Sequence, residues 1–156
     1  MASTLTAKTM KVTIKEDIIL NGVQQGDENI LSIASIVSIH NQFIPVPTSE
    51  VTILSFGAAV AGATFVVGDV RYVRITNLDG SNYVRLIIAD ENNGESVHKL
   101  SAGRSMIISV DGTNGVANVH DADAAAISSF AICDIASITA LANSAECDIQ
   151  VYVASA

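Results

Sequence analysis

Three histidines, two cysteines and sixteen carboxylates are the side chains of this 156-residue sequence that bear on chemistry. His40, His98 and His120 lie far apart in the chain. Nucleophilic catalysis needs a nucleophile, a base and an orienting acid in contact, and no Gly-x-Ser-x-Gly elbow offers the nucleophile. His120-Asp121-Ala122-Asp123, with Asp111 and Asn114, offers oxygens to a cation. Calcium takes about six to eight oxygens, and no EF-hand loop supplies them, so a solvated acidic loop is the plainer reading. Asp90, Glu91 and Glu95 read the same way, as the charged rim of an exposed hairpin tip. Cys133 and Cys147 show neither Cys-x-x-Cys spacing nor His-rich surroundings, which speaks against zinc. The glycines at 57, 62 and 68 lack dinucleotide spacing. The expectation is therefore no catalytic residue, no metal ligand and no cofactor.

The remaining charged cluster is basic. Arg71, Arg74 and Arg85 sit within fifteen residues of one another, and Arg74 and Arg85 would approach if their strands paired around Asp79-Gly80. One reading is cross-strand pairing with carboxylates. The sharper one is a subunit contact, because arginine is enriched in interfaces. With Leu5 and Lys8 from the N-terminal segment, these arginines make the candidate interface set.

Charge and composition narrow the partners. Net charge is −8, and all eight basic residues lie at or before Arg104. From Ser105 onward only carboxylates remain, among them Asp111, Asp134, Glu146 and Asp148. Such a surface repels a phosphate backbone, so no nucleic-acid partner is expected. Hydrophobic residues make up 49% of the chain, yet aromatics only 4%, with no tryptophan. The core must therefore come from Ile, Val, Leu and Ala. No apolar run approaches the roughly 20 residues a membrane helix needs, so no membrane partner is expected. The apolar excess points instead to surface covered by other subunits. Met1-Ala2-Ser3-Thr4-Leu5 has neither the basic start nor the apolar run of a secretory leader. That leads to an expectation of two reduced thiols in a protein assembled in the cytosol.

The elements that must carry these residues read as strands. Met10, Val12 and Ile14 alternate with Lys11, Thr13 and Lys15, a period of two. Ile18-Ile19-Leu20 leads into a turn at Asn21-Gly22. Ile30 to His40 is rich in β-branched residues and reads as one strand. Ile44-Pro45-Val46-Pro47 must be extended, as a connection or an edge strand. Val51 to Phe56 and Phe65 to Val67 follow as strands, then Val70 to Ile75 and Tyr83 to Ile88, read as partners across the Asp79 turn. Met106 to Val110 is a further strand. Asp121 to Ala126 has the composition of one short helix capped by Asp121 or Asp123. Cys147 to Val153 alternates cleanly and reads as paired, through the Asn143-Ser144-Ala145-Glu146 turn, with Ile138 to Leu141. Turn signals recur about every ten residues, the spacing of a sandwich or barrel. The expected fold is an all-β antiparallel sandwich, jelly-roll-like, over residues 10–156, preceded by an N-terminal arm of residues 1–9. Val84, Leu86, Ile88, Ile108 and Val110 are the expected core. The small polar arm cannot bury itself, so its expected role is β-addition to a neighbour, and deleting Ala2 to Lys8 should weaken assembly without unfolding the domain.

One pattern goes further. A tyrosine-bearing strand, Ile75-Thr76-Asn77-Leu78-Asp79, a short turn, Tyr83-Val84-Arg85-Leu86, the acidic loop from Asp90 to Glu95, Leu100-Ser101-Ala102-Gly103-Arg104 and the strand from Met106 to Val110 follow in order. Leu20-Asn21-Gly22 and Val46-Pro47-Thr48-Ser49 precede them. This arrangement resembles the small β-sandwich virion proteins of tailed bacteriophages of the marine, cyanophage-like kind, across roughly two-thirds of the chain. The resemblance implies a capsid decoration, or cement, subunit. Such a subunit is a homo-oligomer, usually a trimer, that bridges major capsid proteins in a virion assembled in the host cytoplasm. Tail and neck proteins share similar sandwiches and form the alternative. A carbohydrate-binding host-recognition module ranks last, because sugar sites use exposed aromatics and few exist here.

Overall fold

Strands take up nearly every described segment of the computed structural model, which describes residues 5–58, 64–92, 94–109, 117–118 and 133–156. No helix occurs among them. One sheet has the order β11 (Ser105–Ser109), β8 (Val70–Asn77), β14 (Cys147–Ser155), β5 (Ser38–Val46), all antiparallel. The second runs β10 (Glu95–Leu100), β9 (Val84–Asp90), β13 (Cys133–Ala142), β6 (Val51–Gly57), β7 (Thr64–Val66), and the short β12 (Ala117–Asn118) also pairs with β13. Among the described residues its one parallel pair is β6 with β7.

Alternation decides which side of each strand is dry. Val73 and Ile75 on β8, and Ile149, Val151 and Val153 on β14, are buried from the first sheet. Leu86 and Ile88 on β9, and Ile138 and Ala140 on β13, meet them from the second in one continuous core. Burying each large aliphatic side chain contributes about 1.5–3 kcal/mol. Both sheets thus bury one face against the other, and the architecture is an all-β sandwich. The strand orders establish the sandwich and not a jelly-roll path. Val84, Leu86 and Ile88 lie in the core as expected, and Ile108 is half-buried against it. Val110, Asp111 and Asn114, and the Asp121 to Ala126 helix lie outside the described residues.

Two expected hairpins do not form. β8 and β9 belong to different sheets, and so do β13 and β14. The Asp79-Gly80 and Asn143 to Glu146 turns are corners that carry the chain across the sandwich. Arg74 and Arg85 therefore do not meet. The expected strand from Ile30 to His40 is also two strands, broken at Val37. Just before the break Ser35 takes a positive φ of 63°, a sharp bend, and the Val37 N–H then bonds to the Ser155 carbonyl at 2.9 Å.

The bend separates the sandwich from a projecting ribbon. β1 (Lys8–Lys15) pairs antiparallel with β4 (Glu28–Ile36), and β2 (Ile19–Leu20) pairs with β3 (Val23–Gln24) at the tip. Asn21 and Gly22 both have positive φ, 53° and 80°, the geometry of a tight hairpin turn that suits the twist of its strands. Lys8 and Thr9 belong to β1, so the arm boundary set at residue 9 falls inside a strand.

Candidate assembly surface

The ribbon rests on the outer face of the first sheet by its base alone. Cross-strand pairs Met10–Ile33 and Val12–Leu31 put these side chains on one face. Ile33 and Ile36 are buried there with Tyr72 and Ala154, and Met10, Val12 and Tyr152 pack alongside. The rings of Tyr72 and Tyr152 meet edge to face, centroids 6.2 Å apart. The Tyr152 hydroxyl donates to the Met10 sulfur at 3.9 Å. Burial pushes the Tyr72 hydroxyl above its usual pKa, against the opposing pull of the Arg74 charge.

Past this base the ribbon leaves the body and stays apolar. Ile14, Ile18, Ile19, Leu20, Val23, Ile30 and Leu31 are between 41% and 69% exposed. A two-stranded ribbon is marginal in water by itself, and large clustered apolar patches mark interaction surfaces. A sequence that places Ile18-Ile19-Leu20 and Val23 on both sides of a two-residue turn exposes four large apolar side chains at the tip, beside the Gln24–Asp17 hydrogen bond at 2.9 Å.

A cavity of about 490 Å³ lies between β1 and the sheet beneath it. All five residues from Met10 to Ile14 border it, those of both faces alike. Since successive side chains on a strand point to opposite sides, β1 presents its unpaired backbone edge to this groove. Tyr72, Arg74 and Tyr152 floor the groove, and Ser105 and Ile107 on β11 close it. Among the described residues its charged side chains are Lys11 and Arg74, with no carboxylate. Arg74 is held in place: its Nη2 donates to Gln150 Oε1 at 3.1 Å and its guanidinium lies 5.7 Å from the Tyr152 ring centre. Gln150 is anchored in turn on Asn41 Oδ1 at 2.9 Å.

A second hollow, about 580 Å³, has the opposite sign. Phe43, Pro45 and Leu78 line it with the carboxylates of Asp79, Glu146 and Asp148. Asp79 Oδ1 accepts the backbone N–H groups of Asn82 at 2.5 Å and Ser81 at 2.7 Å. Those bonds, Asn82 first, hold its carboxyl below the usual aspartate range. Among the described residues no group of three or more His, Cys, Asp or Glu side chains is arranged to hold a metal ion.

The residues singled out from sequence scatter over this framework. Arg74 lies in the groove. Arg71 spends its guanidinium on the Gly68 and Val70 carbonyls at 2.6 and 3.3 Å. Arg85 faces outward from the other sheet, directly opposite Lys99, whose ammonium lies 4.5 Å from the Tyr83 ring centre. Lys8 pairs with Ile36 at the ribbon base, and Leu5 is exposed just before it. His40 sits 5.3 Å from the Phe65 ring in a T-shaped contact, while His98 lies on the edge strand of the second sheet beside Ser96. His120 and Cys133's side chain lie outside the described residues; Cys147 carries a free, buried thiol. Asp90 departs from its expected place on a solvated rim. It is only 4% exposed, and its Oδ1 accepts the N–H groups of Asn92 at 2.9 Å and Gly94 at 2.7 Å. It folds the loop rather than facing solvent.

The tip from Ile18 to Val23, Tyr152 and Ile107 were not anticipated. The signal for the tip was present, as an apolar run on both sides of Asn21-Gly22. No helix among the described residues is long and apolar enough to cross a membrane. No family model, curated protein or solved structure matches the chain. The class that fold and surface define is a β-sandwich bearing a projecting apolar ribbon.

Proposed function

We propose that this chain is a non-enzymatic structural subunit of a tailed-bacteriophage virion, a capsid decoration protein that bridges neighbouring major capsid proteins as a homo-oligomer, most simply a trimer. The observation that carries the reading is the ribbon from Lys8 to Ile36, whose exposed isoleucines and leucines have no covering surface among the described residues. The groove beneath β1 borders this ribbon, and the second hollow lies away from it on the sandwich. The order of residues from Tyr72 to Met106 supports the choice of a virion over other assemblies. Several weak contacts on one oligomer reinforce each other, which is how a small subunit can brace a shell.

The test is to purify particles of the virus that encodes the chain and to fractionate them into heads and tails. Mass spectrometry should find the chain in heads, in fixed proportion to the major shell protein. Recovery in tails or necks alone would move the subunit there, and absence from purified particles would overturn the proposal.

A further inference from the structure

The groove and the ribbon tip have matching shapes of chemistry. Among the described residues the groove borders Met10, Val12, Ile14 and Ile107 with two cations, Lys11 and Arg74, and no carboxylate. That is unusual on a chain of net charge −8. The segment from Glu16 to Glu28 is the converse: Ile18, Ile19, Leu20 and Val23 are framed by Glu16, Asp17, Asp27 and Glu28, with no cation. We propose that the ribbon tip of one copy seats in the β1 groove of a second copy, so that the chain assembles head to tail by arm insertion. This holds whether or not the assembly is a virion.

The ribbon tip does not fill the groove of its own chain. The groove lies alongside β1, while the ladder continues past β1 through Glu16 N–H to the Asp27 carbonyl and Gln25 N–H to the Ile18 carbonyl, both 2.9 Å. The tip therefore stands off the end of the ribbon, and none of Ile18 to Val23 borders the cavity. The six residue steps from Ile14 to Leu20 span up to about 20 Å when extended, enough to reach a neighbour. Once inserted, the tip would bury its leucine and isoleucines against Ile107 and Ile14, bring carboxylates to Lys11 and Arg74, and lie beside the open backbone edge of β1. Arg74 uses one of its five N–H donors on Gln150 and keeps the rest for a carboxylate. The contact is heterologous, tip to groove, so it closes into a ring or runs on as a filament.

Two variants test this on the full chain. Leu20→Asp spoils the tip and leaves the groove intact; Ile107→Glu puts a like charge against the incoming carboxylates and leaves the tip intact. Both positions are exposed, and unchanged circular dichroism and melting temperature check that the sandwich is preserved. In sedimentation velocity at micromolar concentration the unmodified chain should be oligomeric, and each variant monomeric, with self-association weakened about tenfold or more. An equimolar mixture of the two variants keeps one good tip and one good groove, and should form a one-to-one dimer that goes no further. A monomeric parent chain, variants that assemble as it does, or a mixture that stays monomeric would each overturn the proposal.

Discussion

The side-chain amide of Asn77 donates to the carbonyl of Leu100 at 3.1 Å, joining the end of β8 in one sheet to the end of β10 in the other. The same nitrogen donates to the Asn82 carbonyl at 2.9 Å, and Oδ1 accepts the Asp79 N–H at 3.0 Å. A fully buried amide so used fixes the corner at which the chain changes sheets. Asn77→Leu has similar volume but strands two carbonyls and one N–H. Each buried unsatisfied group costs about 1–3 kcal/mol, so the variant should lose on the order of 3 kcal/mol in urea unfolding. An unchanged midpoint would show that the corner does not depend on this amide.

Asp79 completes that corner and makes it sensitive to acid. Its carboxyl is held below the ordinary value of 3.8 by the Asn82 and Ser81 N–H groups. A depressed native pKa means that the folded state binds its proton less readily than the unfolded chain does. Its contribution is complete above the unfolded value and is lost as pH falls through the native one. The melting temperature should therefore drop below about pH 4, and Asp79→Asn, which keeps an acceptor oxygen but cannot titrate, should flatten this part of the profile. Equal acid sensitivity in both proteins would refute the assignment.

Strand content was legible in the sequence, and strand pairing was not. β1, β9 and β14 each alternate, and their inward residues are those expected from period two. Asp79-Gly80 and Asn143 to Glu146 announce that the chain turns, but a turn signal does not say whether the next strand pairs beside the last or crosses to the opposite sheet. That choice is made by contacts distant in sequence, such as Asn77 with Leu100 and the Ala142 N–H with the Pro47 carbonyl at 2.8 Å. The ribbon was hidden for a related reason. Ile30, Leu31, Ile33 and Ile36 look alike as core candidates, yet only Ile33 and Ile36 are buried, because Ser35 and Val37 bend the chain away from the sandwich. The basic cluster failed as a unit because alternation and the sheet change send Arg74 and Arg85 to opposite outer faces.

Cys147 should be inert in the native protein. Its thiol is buried at the start of β14, and burial first, then the charges of Asp79 and Asp148, raises its pKa above the ordinary 9.0. The thiolate is the reactive form. Alkylation near pH 8, mapped by peptide mass spectrometry, should leave Cys147 unmodified in buffer and modify it fully in urea. Because the native pKa is raised, stabilisation from this group is present below pH 9.0 and fades as pH climbs through the native value. Rapid native labelling of Cys147 would contradict its placement.

Gly26 separates the ribbon from the sandwich experimentally. It lies so close to the neighbouring strand that a Cβ on it would collide with the backbone carbonyl of Glu16. The obstacle is main chain rather than a flexible side chain, so Gly26→Ala must shift the tip relative to β1. The sandwich core lies elsewhere: none of its buried residues belongs to the segment from Glu16 to Glu28. Thermal unfolding of Gly26→Ala should therefore stay within about 1 kcal/mol of the parent chain, in keeping with surface substitutions away from the core. Self-association should fall by about tenfold, the loss that corresponds to about 1.4 kcal/mol. A large drop in melting temperature would mean that the ribbon folds as part of the core. Unchanged assembly would mean that the tip does not make the contact between copies.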